Sequence, residues 1–326
     1  MQQSNLRSCG MKMLLSEIPN PLVVLVGPTA VGKTELSLSL AEKLNGEIIS
    51  SDSRLFYRGM NIGTAKPSAE EMARVPHHLI DVTDPDESWS LAVFQQEAYK
   101  IIDDIHKRGK LPIMVGGTGQ YVHAIVQGWE MPAQAPDDGL RAVLNRWAKE
   151  IGKEDLHRKL ALVDPIAAEK IDYRNLRRTV RALEVIFRTG KRFSAQRRKG
   201  NPRYATLQVG LFRPREEIFQ RVDERIEIMF ETGFKEEVQS LLKAGFTADD
   251  PGMASIGYRE VIKHLNGDMT LEEVKARMRQ LTHIFVRRQA NWFKREDENI
   301  YWFDVRKNGI VDEIVTTILN QNNWKR

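Results

Sequence analysis

The sequence predicts an α/β protein: a parallel sheet flanked by helices, interrupted by an inserted, mainly helical basic domain. Three observations carry this. Short apolar or β-branched runs alternate with helical patterns from Pro21 to Gly119, as in a parallel sheet with crossover helices. The first run leads into Gly27-Pro28-Thr29-Ala30-Val31-Gly32-Lys33-Thr34 and then into the helical pattern Glu35 to Leu44. That is a phosphate-binding loop in its strand-to-helix setting, which makes the sheet P-loop-type. The alternation then breaks at the proline-rich stretch Met131 to Gly139, and residues 141–200 hold 17 Lys and Arg against 7 Asp and Glu. The whole chain carries only +5, so its positive charge is concentrated.

Leu22 to Val26, Glu47 to Ser51, His78 to Val82 and Leu111 to Val115 read as the first four strands. Before the fourth, Leu91, Phe94, Ala98, Ile101, Ile102 and Ile105 recur at helical spacing, with Ser88 or Ser90 as N-cap and Gly109 past the end. Leu140 to about Arg188 is helical and basic, and Arg192 to Arg203 reads as a loop. Thr206 to Phe212 is again a strand, so the basic segment is an insertion. Helices over Glu216 to Ala244 and Leu271 to Lys294, a short strand Ile300 to Phe303 and a final helix complete the reading. The expected divisions are a disordered leader 1–20, a first core segment 21–130, the insertion 131–203 and a second core segment 204–326.

The chain has 326 residues, 41% of them hydrophobic, and no apolar run approaches the roughly 18 residues of a membrane span. The leader lacks the apolar core and cleavage site of a secretory signal. The single cysteine, Cys9, excludes an internal disulfide and a cysteine-based zinc site. A cytoplasmic protein is expected.

In the phosphate-binding loop, backbone N–H groups and the helix N-terminus face phosphate oxygens, Lys33 supplies a mobile cation and Thr34 can reach a metal ion. The strand Leu111 to Val115 ends in Gly116-Gly117-Thr118-Gly119 with no carboxylate, unlike ordinary P-loop ATPases. Three residues past Gly119 stands Val122, so the dinucleotide fingerprint fails. Thr118 either faces a ligand at the carboxyl edge of the sheet or caps the next helix. Asp52, at the end of the second strand, can take a proton or bind magnesium, or cap a turn before Arg54-Leu55. The connection Asp52 to Pro67 is rich in aromatic, basic and glycine residues, a mixture suited to a nucleobase. His77 and His78 read as structural.

The loop Gly27 to Thr34, the segment Asp52-Ser53 through Gly59-Met60-Asn61-Ile62-Gly63-Thr64-Ala65-Lys66-Pro67 and the turn Val115 to Tyr121 occur in an order and spacing that resembles the tRNA dimethylallyltransferases, or isopentenyl-tRNA transferases. So do Arg177 to Glu184, Ser255-Ile256-Gly257-Tyr258-Arg259-Glu260 and Arg287 to Phe293. The resemblance runs from Pro21 to Phe303. It implies transfer of a dimethylallyl group from dimethylallyl diphosphate to N6 of the adenosine 3′ of a tRNA anticodon, with the loop holding the diphosphate, Mg2+ on Thr34 and Asp52 as general base. Thr118 and Arg225 match assisting positions, with Arg213, Arg215 and Arg221 close to the latter in sequence. The implied contacts to the tRNA anticodon stem-loop are Asp52, Ser53, Arg54, Leu55, Thr118, Arg141, Arg177, Arg178, Thr179, Val180, Arg181, Ser255, Ile256, Gly257, Tyr258, Arg259, Glu260, Arg287, Arg288, Gln289, Ala290, Asn291, Trp292, Phe293 and Lys294. Met278, Leu281, Phe285 and Trp292 are expected to form an apolar stripe on the last basic helix. No cysteine follows Cys9, as in the shorter bacterial type, and a monomer is expected. The rival classes are a P-loop nucleotide or nucleoside kinase using ATP, and a nucleic-acid-dependent ATPase or RNA-binding module.

Overall fold

The structure, a computed structural model, describes residues 18–131, 137–196 and 200–324; Cys9, most of the expected leader and the centre of the proline-rich boundary lie outside them. The chain divides into two compact units, one ending at Val126 and resuming at Pro202, the other spanning Gln127–Asn201.

In the first unit, strands β1 (Pro21–Val26), β2 (Gly46–Ser50), β3 (His77–His78), β4 (Leu111–Gly116), β5 (Ala205–Phe212) and β6 (Ile300–Asp304) form one sheet of order β3-β2-β4-β1-β5-β6. Every pairing is parallel. β1 is central, and its side chains alternate between two cores. Val23 and Leu25 pack with helices α1 (Lys33–Leu44) and α14 (Ile310–Leu319), whereas Leu22, Val24 and Val26 pack with α3 (Leu91–Lys107) and α4 (Gly119–Val126). A strand covered on both faces must be apolar throughout, which is why Leu22 to Val26 is an unbroken run. Ser90 caps α3 by accepting from the Val93 N–H, and Arg108 closes its far end. Among the described residues, no helix is long and apolar enough to cross a membrane.

A third core joins Tyr57 and Met60 to helices α10 (Arg215–Glu231), α11 (Phe234–Lys243), α12 (Tyr258–Leu265) and α13 (Leu271–Ala290). The helix expected over Glu216 to Ala244 is thus two. It breaks at Gly233, whose φ of 100° is left-handed, and the turn sets the Phe234 ring edge-on to Tyr258 at 5.1 Å. The strand expected over His78 to Val82 stops at His78 because Leu79 and Asp81 adopt positive φ. Helix α13 ends at Ala290, not at Lys294, so Trp292 leaves the helix and the expected stripe is broken. The buried positions of α13 are Val274, Met278, Val286 and Gln289, and Trp292 is exposed. The short helix α2 (Ala69–Arg74), closed by a Ser68–Glu71 capping box, was not anticipated.

The second unit holds α5 (Asp138–Ile151), α6 (Lys153–Val163), α7 (Pro165–Lys170), α8 (Leu176–Thr189) and the short α9 (Phe193–Gln196), which stands where a loop was expected. Leu144, Leu156, Leu160, Val180 and Leu183 lie in its core. Asp164 is fully buried and accepts from the Ser194 N–H, the Ser194 hydroxyl and the Ala167 N–H, which ties α9 to the start of α7.

Candidate active site

Parallel strands deliver their carboxyl ends to one edge of a sheet, the side on which open α/β proteins bind ligands. Val26 is in register with Gly116, and Ser50 with Val115. Gly27, Ser51 and Gly117 therefore leave the sheet side by side, and the phosphate loop, Asp52 and Thr118 follow them.

The Lys33 ammonium folds back on its own loop, donating to Gly27 O at 3.0 Å and Pro28 O at 2.9 Å. Burial pulls its pKa down to about 8; the nearby Asp52 carboxylate works against that fall and the Arg225 guanidinium adds to it. Lys33, Asp52 and Arg225 thus act on one another electrostatically. Arg225 is itself shifted down, by burial and then by Arg221. Among the described residues, neither Lys33 nor Arg225 makes an ion pair. Of the nearby arginines, Arg221 donates to Ala30 O at 2.9 Å and braces the loop, and Arg213 pairs with Glu217.

Asp52 accepts from the Arg54 N–H at 3.0 Å, so it closes the turn that was the alternative reading while staying next to the loop lysine. Arg54 reaches across to the Ser255 hydroxyl at 3.2 Å, which joins two segments 201 residues apart. Thr118 starts α4 through its carbonyl, which accepts from the N–H groups of Tyr121 and Val122. Its hydroxyl bonds to no described residue, and neither does that of Thr34.

The structure sorts the expected RNA contacts. Arg54, Arg177, Arg178, Arg259, Arg287, Arg288, Ala290, Asn291, Trp292 and Lys294 are exposed. Thr179, Val180, Ser255, Tyr258, Gln289 and Phe293 are buried, so their side chains serve packing and hydrogen bonding in the free protein, and Gly257 is buried as well. In the helical unit, Arg141 and Arg181 both close on the fully buried Glu184, at 2.9 and 2.8 Å. Burial pushes that carboxyl up, but hydrogen bonds from Arg181, the Asp137 N–H and Arg141 outweigh it and hold the group below its ordinary value. Glu260 accepts from the Gly257 N–H and caps α12.

One site-shaping residue escaped the sequence reading, and another, Gln289, was expected only as an RNA contact. Glu237 accepts from the N–H groups of Asn61, Ile62 and Gly63 and from the Tyr258 hydroxyl. It thereby fixes the Asn61-to-Gly63 turn against α12. Gln289 meets the phosphate loop itself. Glu237, 12 residues beyond Arg225, carries no local signal of its contacts. His77 and His78 bond to Val75 O and Glu47. No cluster of three His, Cys, Asp or Glu suited to a metal occurs among the described residues.

Beside Arg225 opens a cavity of about 500 Å³ whose lining includes Ile62, Met72, Ile228 and Met229. That lining also holds Asn61, Lys66, Ser68, Asp81 and Thr232, so the recess is mixed in character; the site itself combines a phosphate cradle, cations without an ion pair among the described residues and a carboxylate.

Comparison with known proteins identifies the family. The sequence profile of the IPP transferase family matches residues 55–296. The tRNA dimethylallyltransferase of Roseiflexus sp. (strain RS-1) is 51% identical over 275 residues, 84% of this chain and 90% of that protein. That of Thermomicrobium roseum is 44% identical over 294 residues, 90% and 89% of the two chains. Among solved structures, the tRNA isopentenylpyrophosphate transferase of Bacillus halodurans is 41% identical with a TM-score of 0.67, covering 93% of this chain and 95% of its own. A eukaryotic dimethylallyltransferase acting on tRNA is 30% identical with a TM-score of 0.74, covering 87% and 73%. On the profile match and on identities of this level over most of both chains, the protein belongs to the IPP transferase family.

Proposed function

We propose that the protein transfers a dimethylallyl group from dimethylallyl diphosphate to N6 of the adenosine 3′ of a tRNA anticodon, releasing diphosphate. The observation that carries this is Lys33, half-buried beside Asp52 and Arg225 without an ion-pair partner among the described residues. The donor's diphosphate lies in the loop Gly27 to Thr34, where Lys33 exchanges its carbonyl contacts for phosphate oxygens. As the bond from C1 to the diphosphate oxygen breaks, negative charge grows on the leaving group, and Lys33 and Arg225 stabilise it most at that point. The N6 amine forms the new bond to C1. Its lone pair is delocalised into the ring, so proton removal by Asp52 assists attack. The Thr118 hydroxyl is free to donate to either substrate.

The Thr34 hydroxyl, which bonds to no described residue, would hold Mg2+ alongside the diphosphate, and the ion would supply further charge neutralisation. The target base must leave the stacked anticodon, at a cost of a few kcal/mol offset by contacts in the site. Arg54, Arg259, Arg287, Arg288 and Lys294, with Arg177 and Arg178 of the helical insertion, are the exposed cations available to RNA phosphates. The protein works as a monomer in the cytoplasm. The kinase alternative lacks the strand-end carboxylate at β4 and has no use for the long basic insertion.

The test is incubation with radiolabelled dimethylallyl diphosphate and unmodified tRNA, with ATP as the competing donor. Label is expected in tRNA without ATP; incorporation that requires ATP, or none, removes the proposal.

A further inference from the structure

Gln289 lies in the last turn of α13 and is 4% exposed. A buried amide is costly unless both of its ends are bonded, and here both are. Its Oε1 accepts from the Thr29 N–H at 2.9 Å, inside the phosphate loop, and its Nε2 donates to Gly117 O at 3.2 Å, in the turn that presents Thr118. The residues so joined are 260 and 172 positions away in sequence. The amide is admitted because residue 117 is glycine: a Cβ there would stand 2.2 Å from Nε2 and 3.2 Å from Gly27 O.

We propose that Gln289 is a positioning residue for the transfer reaction: its amide ties the phosphate loop to the Thr118 turn and sets the spacing between the diphosphate cradle and the Thr118 hydroxyl. This rests on the reading of the loop as the donor's diphosphate site. The bridge takes the Thr29 N–H out of the set that can face phosphate, the Val31 N–H donates to Pro28 O at 3.3 Å, and the N–H groups of Ala30 and of the helix start from Gly32 onward are left to form the cradle. It also accounts for a polar residue at a core position of α13, where an apolar side chain would pack as well. Only a group with an acceptor at one end and a donor at the other satisfies both partners. A carboxylic acid meets that demand when protonated and fails it when ionised, because its second oxygen then faces the Gly117 carbonyl.

The test measures binding of inorganic diphosphate by calorimetry to full-length wild type, Gln289→Met and Gln289→Glu, from about pH 6 to about pH 9. Burial against a carbonyl raises a carboxyl pKa into or near that range. Gln289→Met is expected to weaken diphosphate about tenfold at every pH, the scale of a lost buried hydrogen bond. Gln289→Glu should bind within a few-fold of wild type at the acid end and fall away from it as pH rises. A purely structural role would lower stability without that pH-dependent rescue. If both variants bind as wild type does across the range, the positioning role is overturned.

Gly117→Ala breaks the same bridge from its other end. Its effect should fail to add to that of Gln289→Met, and full additivity counts against the bridge. In the wild type alone, the Thr29 amide should exchange its hydrogen slowly without ligand; exchange as fast as an open loop overturns the proposal even if no variant folds. A wild type that fails to bind diphosphate, with Thr29 still protected, instead overturns the reading of the loop.

Discussion

At the carboxyl edge of the sheet, Lys33 and Arg225 are sheltered and make no ion pair among the described residues, whereas in the helical insertion Arg141 and Arg181 share one buried carboxylate, Glu184. Both regions bring cations and a carboxylate together, yet they use charge in opposite ways. An unpaired cation held out of water keeps its interaction energy for an incoming anion. A cation on a buried carboxylate has spent that energy holding the fold. A count of arginines therefore overstates the RNA-binding capacity of the insertion, where only Arg177 and Arg178 of the four arginines predicted there stand exposed.

The largest test of the contrast is Asp52→Ala. Loss of a general base is expected to lower turnover by about 10²–10⁴-fold while tRNA affinity in a filter-binding assay changes little; an active variant removes Asp52 from that role. Next is Glu184→Gln, which leaves two arginines facing a neutral group. Breaking a buried ion pair costs about 3 kcal/mol, read as a lower unfolding midpoint. A stable variant that binds tRNA tenfold tighter would mean that those arginines are RNA contacts held in reserve, and the contrast would fail.

The third test uses the depressed pKa of Lys33. Diphosphate favours the charged amine and so raises its pKa on binding. Affinity is fully present below the free-state value of about 8 and declines by up to about tenfold per pH unit above it, until the bound-state value is passed. Calorimetry with Lys33→Arg should show no such decline near that pH. The smallest effect is expected for Arg177→Ala. One lost phosphate contact lowers the slope of log affinity against log salt by about 1, whereas Arg181→Ala, paired to Glu184, should leave the slope unchanged.

The sheet was legible because local pattern fixes it. An unbroken apolar run such as Leu22 to Val26 has no stable place except a strand covered on both faces, and the loop that follows has a shape that only glycines and a helix start can give. Helical periodicity also held the key to α8: Leu176, Val180 and Leu183 share a face, so Val180 and the neighbouring Thr179 turn inward while Arg177 and Arg178 turn out. Of the segment expected to contact RNA, that period leaves Arg177 and Arg178 exposed in the free protein. The break at Gly233 and the short β3 escaped because each depends on packing against Tyr258 or the Phe56 segment, and neighbours in sequence do not report it.

By itself the sequence determined the phosphate loop and the order of strands and helices along the chain, since dihedral preference and apolar period are properties of adjacent residues; the reaction was legible only through the resemblance of its motifs to a known family. Tertiary structure alone decided which charges are free. That Arg225 stays unpaired near Lys33, that Arg141 and Arg181 are neutralised, and that Gln289 fastens Thr29 to Gly117 all depend on contacts between distant segments. The energy of those contacts is set by burial and by the partner within hydrogen-bonding reach, and neither is fixed until the chain has folded.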